Sequence, residues 1–300
     1  MTGHEQCRGM EPDDLVAIDV HVHPMSAEAR SVFGGELAAM SKYFGRDIPT
    51  VTIDELAEQY RVRKMMAVLL GMDTSTASGD PPVPNDHIAA AVRLHPDVFI
   101  GFAGVDPWKG RLAVDEARRA RETLGLRGLK LHPGLQKFAP NDERFYPLWA
   151  AAQELGLVCL FHSGTMGSGA GEPGGGGYKL KYVNPMLVDD VAADFPSLQI
   201  ILAHPGWPWQ SEQLAIARHK SNVFIDLSGW SPKYFPAELV EQMNGPLQNK
   251  CLFGSDWPFL TPERWLSDFA ALALKDAVRP KVLRDNARQL LLGAAAAGPS

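Results

Sequence analysis

Eight short apolar runs, each followed by a stretch of helical character, constrain this 300-residue chain more than anything else in it. The runs begin near Leu15, Met65, Val98, Leu126, Leu157, Leu198, Asn222 and Cys251. Each has the length and apolar content of a strand buried on both faces. Helical signals fill the intervals. Thr52, with Glu55 three residues on, reads as a capping box that opens a helix to about Arg63. A helix from Ala113 to about Leu124 stops at Gly125, and one from Glu143 to Leu155 stops at Gly156. Asn184 followed by Pro185 opens another. Strand–helix alternation at this spacing predicts a parallel sheet wrapped by helices. Eight repeats favour closure into a single-domain α/β fold, the (β/α)8 TIM barrel, over an open doubly wound sheet. No linker-like change of composition divides the chain. Residues 15–293 therefore read as one barrel between a flexible polar leader, 1–14, and a flexible tail, 294–300.

Composition narrows the classes of function. At 45% hydrophobic and 21% charged the chain is an ordinary globular protein, and a net charge of −6 argues against a nucleic-acid partner. No apolar run approaches the ~18 residues needed to span a membrane, and the polar start carries no signal-peptide pattern. Of the three cysteines, Cys159 and Cys251 fall inside apolar runs and Cys7 in the leader. The expectation is reduced core thiols and a cytoplasmic location. The expected partner is a small-molecule substrate. A homodimer is compatible with such a barrel, but nothing in the chain requires one.

Active sites of (β/α)8 barrels form at the C-terminal ends of the strands. The first run ends in Asp19-Val20-His21-Val22-His23-Pro24. Alternate strand residues share a face, so His21 and His23 project together with Asp19 behind them. The fourth run ends in Lys130 and His132, the fifth in His162, the sixth in His204 and the eighth in Asp256, while Asp106 and Asp226 follow the third and seventh. So many polar groups at one rim would be costly to bury without a ligand. His21, His23 and His162 with Asp256 supply three nitrogens and one oxygen for a metal, leaving room for water or substrate. The stretch Gly169 to Gly174 satisfies G-x-G-x-x-G, but Pro173 and the glycines after it prevent the helix that a dinucleotide site needs. A glycine-hinged lid that brings Tyr178 to the substrate is expected instead. Trp207 and Trp230, just beyond the sixth and seventh runs, suggest walls for a planar anion. Ser163 and Ser255 lie in no G-x-S-x-G elbow, which argues against a serine hydrolase.

The D-x-H-x-H of Asp19 to His23, the strand-end His162, the A-H-P at His204, the G-S-D-x-P at Asp256 and the N-A-R-Q-L-L of Asn286 to Leu291 resemble the amidohydrolase superfamily. They are most similar to its amidohydrolase-related (amidohydrolase 2) branch, which contains decarboxylases of hydroxylated aromatic and muconate-type acids, lactonases and hydratases. The likeness runs from Val16 to about Leu292. It implies that His21, His23, His162 and Asp256 bind one divalent metal, zinc by first choice and manganese by second. It also implies that His204 is the acid/base. In binuclear members a lysine at the end of the fourth strand is carboxylated and bridges two metals, which would make His204 a ligand of the second. The branch usually carries one metal, so Lys130 and His132 are expected on an anionic or carbonyl group of the substrate. The rival readings are an ion pair of Lys130 with a rim carboxylate such as Asp106, and a structural hydrogen bond for His132.

The resulting expectation is a hydrolase with His204 and Asp256 in catalysis. Its substrate would be a lactone, amide, ester or β-keto (thio)ester among small carboxylated or aromatic catabolic compounds. Non-oxidative decarboxylation of a hydroxylated aromatic or muconate-type acid is the alternative. A metal-free binding protein on a retained barrel is the rival from another class.

Overall fold

The computed structural model describes residues 14–31, 37, 40, 41, 43, 45 and 47–293. The tail, the leader apart from Asp14, and with it Cys7 lie outside the described residues. Strands form where the apolar runs lie: β1 Ala17–Val22, β2 Met65–Leu70, β3 Phe99–Gly104, β4 Gly128–Leu131, β5 Val158–His162, β6 Ile200–Ala203, β7 Val223–Asp226 and β8 Cys251–Leu252. They pair in sequence order, every pair parallel. One principal helix follows each strand: Ile53–Val62, Asn85–Leu94, Arg111–Glu122, Tyr146–Glu154, Met186–Asp194, Gln210–His219, Ala237–Met243 and Pro262–Ala270. The capping box is present, with the Thr52 hydroxyl accepting from the Glu55 amide at 3.1 Å and the Glu55 carboxylate accepting from the Thr52 amide at 2.8 Å. No helix of the described residues is long and apolar enough to cross a membrane.

The barrel closes between β1 and the chain after β8. The Val20 amide donates to the Phe253 carbonyl (3.0 Å), the Asp256 amide to the His21 carbonyl (3.0 Å), and the His23 amide to the Trp257 carbonyl (2.9 Å). The apolar run predicts a strand to Asp256, yet β8 holds only two residues. Beyond Leu252 the chain keeps only single contacts with β1, and at Asp256, with φ +67°, the backbone leaves the extended region.

The strands are buried on both faces, as parallel barrel strands must be. Ile18, Val20, Val68, Leu70, Ile100 and Phe102 fill the interior, while Ala17, Val22, Ala67 and Leu69 pack outward under the helices. In β1 the alternation slips by one residue, because its register with β2 shifts between Asp19 and Val22. That irregularity corrects one expectation. Asp19 does not share a face with His21; it turns outward to the Tyr60 hydroxyl on the first helix, while His21 turns into the mouth of the barrel. Cys159 and Cys251 are buried and unpaired.

Candidate active site

On the β1/β8 side every imidazole meets a carboxylate. Nε2 of His21 and Nε2 of His23 lie 3.4 and 3.3 Å from the same oxygen, Oδ1 of Asp256. His21 is aimed from behind, with Nδ1 donating to Oδ2 of Asp226 at 2.6 Å. Asp226 in turn accepts from the Ser228 amide (2.9 Å) and hydroxyl (2.8 Å). The close fit requires Gly254, since a Cβ there would come within 2.2 Å of Oδ1 of Asp226. Asp19 pins the two ligand-bearing strand ends together. It accepts from the Ser255 amide (2.8 Å) and hydroxyl (2.5 Å), the Tyr60 hydroxyl (2.7 Å) and the His21 amide (3.2 Å). Burial pushes Asp19 up to about 6 and Asp226 up to about 8. Burial also works against the Asp256 anion, but the His23 hydrogen bond and the nearby His204, His23 and Lys130 outweigh it, holding it below its ordinary value.

On the β4–β6 side no imidazole bonds a carboxylate among the described residues. Lys130 is fully buried, its Nζ 3.2 Å from Nε2 of His21. Burial lowers it to about 8 against the pull of Asp256 and Asp226. An ion pair with Asp106 is not formed. Asp106 is taken up by the amides of Trp108 (3.0 Å) and Thr76 (2.8 Å), where it caps the turn Pro107–Lys109. His132 stacks on His162, ring centroids 3.9 Å apart, and its Nδ1 accepts from the Leu135 amide at 3.2 Å. The ring therefore has its structural bond and still presents Nε2–H elsewhere. Nδ1 of His162 lies 3.1 Å from Nε2 of His204, whose Nδ1 faces the Ser228 carbonyl (3.1 Å) and hydroxyl (3.0 Å). Burial first, then the nearby Lys130 and histidines, drive His21, His132 and His162 well below the ordinary histidine range. His204 falls to about 4 by burial and Lys130, against the pull of Asp256.

His21, His23, Lys130, His132, His162, His204 and Asp256 line one cavity. Its wall is apolar, built largely from Met25, Met40, Met72, Met166, Leu135 and Phe259, with Gly167 and Ser168 of the glycine-rich loop also reaching it. Tyr178, Trp207 and Trp230, expected to contact substrate, do not line it. Tyr178 lies against Gly169 and Gly176 of its own loop, Trp207 is 50% exposed, and Trp230 packs on the outer core. The methionines went unmarked in the sequence because they carry no polar signature. Their spacing was the available signal, since Met25, Met72 and Met166 each sit two to four residues beyond a strand end.

The family model described as Amidohydrolase matches residues 18–292. The chain belongs to the amidohydrolase-2 family. Among solved structures, an uncharacterised TIM-barrel protein from Bordetella bronchiseptica aligns with TM-score 0.76 at 22% identity, covering 93% of this chain and 99% of that one. A dihydroxybenzoic acid decarboxylase from Polaromonas sp. JS666, solved with manganese and 2-nitroresorcinol, aligns with TM-score 0.67 at 19% identity over 92% and 97%. These likenesses show the shared barrel. A 2-amino-3-carboxymuconate-6-semialdehyde decarboxylase from Dictyostelium discoideum is 28% identical over 82 residues, which is 27% of this chain and 23% of that protein.

The donor set of this family member fits a divalent metal. One ligand atom from each of His21, His23 and Asp256 lies within 4.8 Å of the others. Their 3.3–3.4 Å contacts match the edge of a tetrahedral shell with bonds near 2.0–2.1 Å, roughly 3.3 Å. Nε2 of His162, in the same cavity, is buried without a hydrogen-bond partner among the described residues, as a nitrogen kept for a Lewis acid would be.

Proposed function

We propose that this chain is a metal-dependent lyase that removes CO2, without an oxidant, from a small hydroxylated aromatic or muconate-type acid. One observation carries the reading. The cavity floor sets a buried ammonium and several imidazoles around Asp256, the single cavity-lining carboxylate among the described residues, beneath an apolar wall. That arrangement complements a substrate with an anionic head and an apolar body. Likeness to decarboxylases of dihydroxybenzoate and of 5-carboxyvanillate, and the short match to the carboxymuconate semialdehyde enzyme, supports it.

His21, His23, His162 and Asp256 would hold one divalent metal, zinc or manganese. When bound, it supplies Lewis-acid polarisation of substrate oxygens. Lys130 attracts the carboxylate by charge, and His132 offers it Nε2–H. The methionine-rich wall keeps water from the carbon–carbon bond that breaks, whose electron pair stays on the substrate carbon. That carbon then takes a proton, for which Lys130 and His132, both lining the cavity, are placed as donors.

Hydrolysis of a lactone, amide, ester or β-keto (thio)ester is the second reading. The neutral imidazoles favour it, since a neutral ring accepts a proton from water. One assay separates the two. The metal-loaded protein is given hydroxybenzoates, muconate-type acids, lactones and β-ketoesters in D2O, with CO2 and product mass followed. One CO2 lost and one deuterium gained on carbon per turnover is the expected result. Turnover of a lactone or ketoester without CO2 would establish hydrolysis instead. Ligand binding that survives complete chelation, with no turnover of any compound, would leave only the metal-free binding role.

A further inference from the structure

Gln136, fully buried beyond the end of β4, does not line the cavity, yet its polar groups hold the chain around it. Oε1 accepts from the His132 amide at 2.8 Å, and Nε2 donates to the carbonyls of Asp73 (2.8 Å) and Val105 (2.7 Å). The two carbonyls can only accept and the amide can only donate, so the side chain has one orientation. Its backbone amide donates to the His132 carbonyl (2.9 Å), and its carbonyl accepts from Nε1 of Trp108 (2.7 Å). Asp73, Val105 and His132 lie just past β2, β3 and β4, where the strand ladder no longer pairs the backbone. One buried amide therefore links three successive loops at the cavity rim.

We propose that Gln136 is a positioning residue, which fixes where His132 meets the anionic head of the substrate. His132 caps the one-turn helix Pro133–Gln136, its Nδ1 accepting from the Leu135 amide at 3.2 Å. The Gln136 side chain accepts the His132 amide in return, a reciprocal cap like a capping box but one residue longer. A single helical turn has no stability of its own in water, so its place depends on ties to the rest of the fold. Gln136 supplies such ties to the ends of β2 and β3. On its other side the turn packs closely, and a Cβ at Gly134 would come within 2.7 Å of Sδ of Met166. Met72 and Leu135, the neighbours of Asp73 and Gln136, line the cavity with His132. The same bonds therefore set the spacing between the apolar wall and the anion-binding end. A shift of about 1 Å there can cost roughly 100-fold in rate. The proposal rests on the reading of His132 as a contact of the anionic head, and it holds whether CO2 loss or hydrolysis follows.

The test titrates the metal-loaded protein with 2,6-dihydroxybenzoate and with resorcinol, the same ring without the carboxylate. Gln136→Met should weaken binding of 2,6-dihydroxybenzoate about tenfold and leave resorcinol within about twofold. In a His132→Phe background the Gln136 substitution should add little, because its effect passes through His132. Asn222 is a comparable buried amide at the opposite end of the barrel, where Nδ2 donates to the carbonyls of Ala192, Phe195 and Leu198. Asn222→Leu should change neither affinity. Trp108 is exposed, so Trp108→Phe frees the Gln136 carbonyl with little effect on the fold. It should give about a threefold loss, again for the carboxylate alone. No loss in Gln136→Met would overturn the proposal, as would an equal loss for both ligands, or an equal loss with and without His132. If Gln136→Met does not fold, undiminished affinity in Trp108→Phe overturns it. Equal binding of the two ligands by the unmodified protein, or no loss in His132→Phe, would overturn the reading of His132 and the proposal with it.

Discussion

The two sides of the cavity floor orient the same residue type in opposite ways. At the end of β1, the rings of His21 and His23 meet Asp256, and His21 is backed by Asp226. From β4 to β6 the rings are oriented without carboxylates: His132 by the Leu135 amide, His204 by Ser228, and His162 by His204. Carboxylates around one set of imidazoles concentrate negative potential and raise ligand basicity, which suits a cation. His132, held by an amide instead and close to the ammonium of Lys130, suits an anion, while His162 reaches the cation from that same side. A histidine at a barrel rim is therefore not informative by itself.

The largest expected effect breaks the carboxylate side. Asp256→Asn keeps the shape and removes the charge that His21 and His23 share, so metal affinity should fall by more than roughly 100-fold, beyond the loss typical of an outer partner. Elemental analysis after dialysis reads this directly, and stoichiometric metal in the variant would show that the cation is held elsewhere. The next effect breaks the other side. Lys130→Met should lower kcat/KM about 10–100-fold, as expected for a charge-assisted hydrogen bond worth ~1.5–3 kcal/mol, while metal content stays near one per chain. A fall from two ions to one would instead make Lys130 a carboxylated bridge.

The division between these sides was only partly legible in the sequence. Alternating apolar runs announced the barrel, and polar residues at their ends announced the rim, because both follow from the period of a strand and the direction of the chain. The slip in β1 was not visible, since a one-residue irregularity leaves the pattern Asp19, His21, His23 unchanged while sending Asp19 to Tyr60. Nor were the partners of His204, because one of them is a backbone carbonyl that no residue type encodes. Trp207 looked like a wall for the same reason the methionines did not: side-chain character is legible, and the direction a loop takes is not.

Gly229 offers a milder probe, of the seam where the two sides meet. It has φ +75°, and a Cβ would meet Nδ1 of His204 at 2.7 Å and Oδ2 of Asp256 at 3.1 Å. Gly229→Ala should cost ~1–3 kcal/mol in urea unfolding through overpacking and weaken metal binding. Gly79 has φ +82° and nothing within 4 Å of where a Cβ would sit, so Gly79→Ala reports the backbone strain alone. Equal losses in the two variants would mean that the His204 contact is not tight.

The smallest effect sets the two sides against each other in their response to pH, in the metal-free protein. His204 is lowered to about 4, so the unfolded chain binds its proton first as pH falls. Its contribution to stability is complete above the unfolded value near 6.5 and is lost as pH drops toward 4, with His21, His132 and His162 acting in the same direction. Asp19, raised to about 6, has the opposite sign, because the folded protein takes up its proton first. Its contribution is complete below the unfolded value and is lost as pH rises through 6. Each proton is worth about 1.4 kcal/mol per pH unit in the slope of stability. Between pH 4 and 6, His204→Gln should therefore flatten the rise of stability with pH, and Asp19→Asn should steepen it. Urea unfolding across that window measures both slopes. If the two variants shifted the slope in the same direction, the opposite proton linkage assigned to His204 and Asp19 would be wrong.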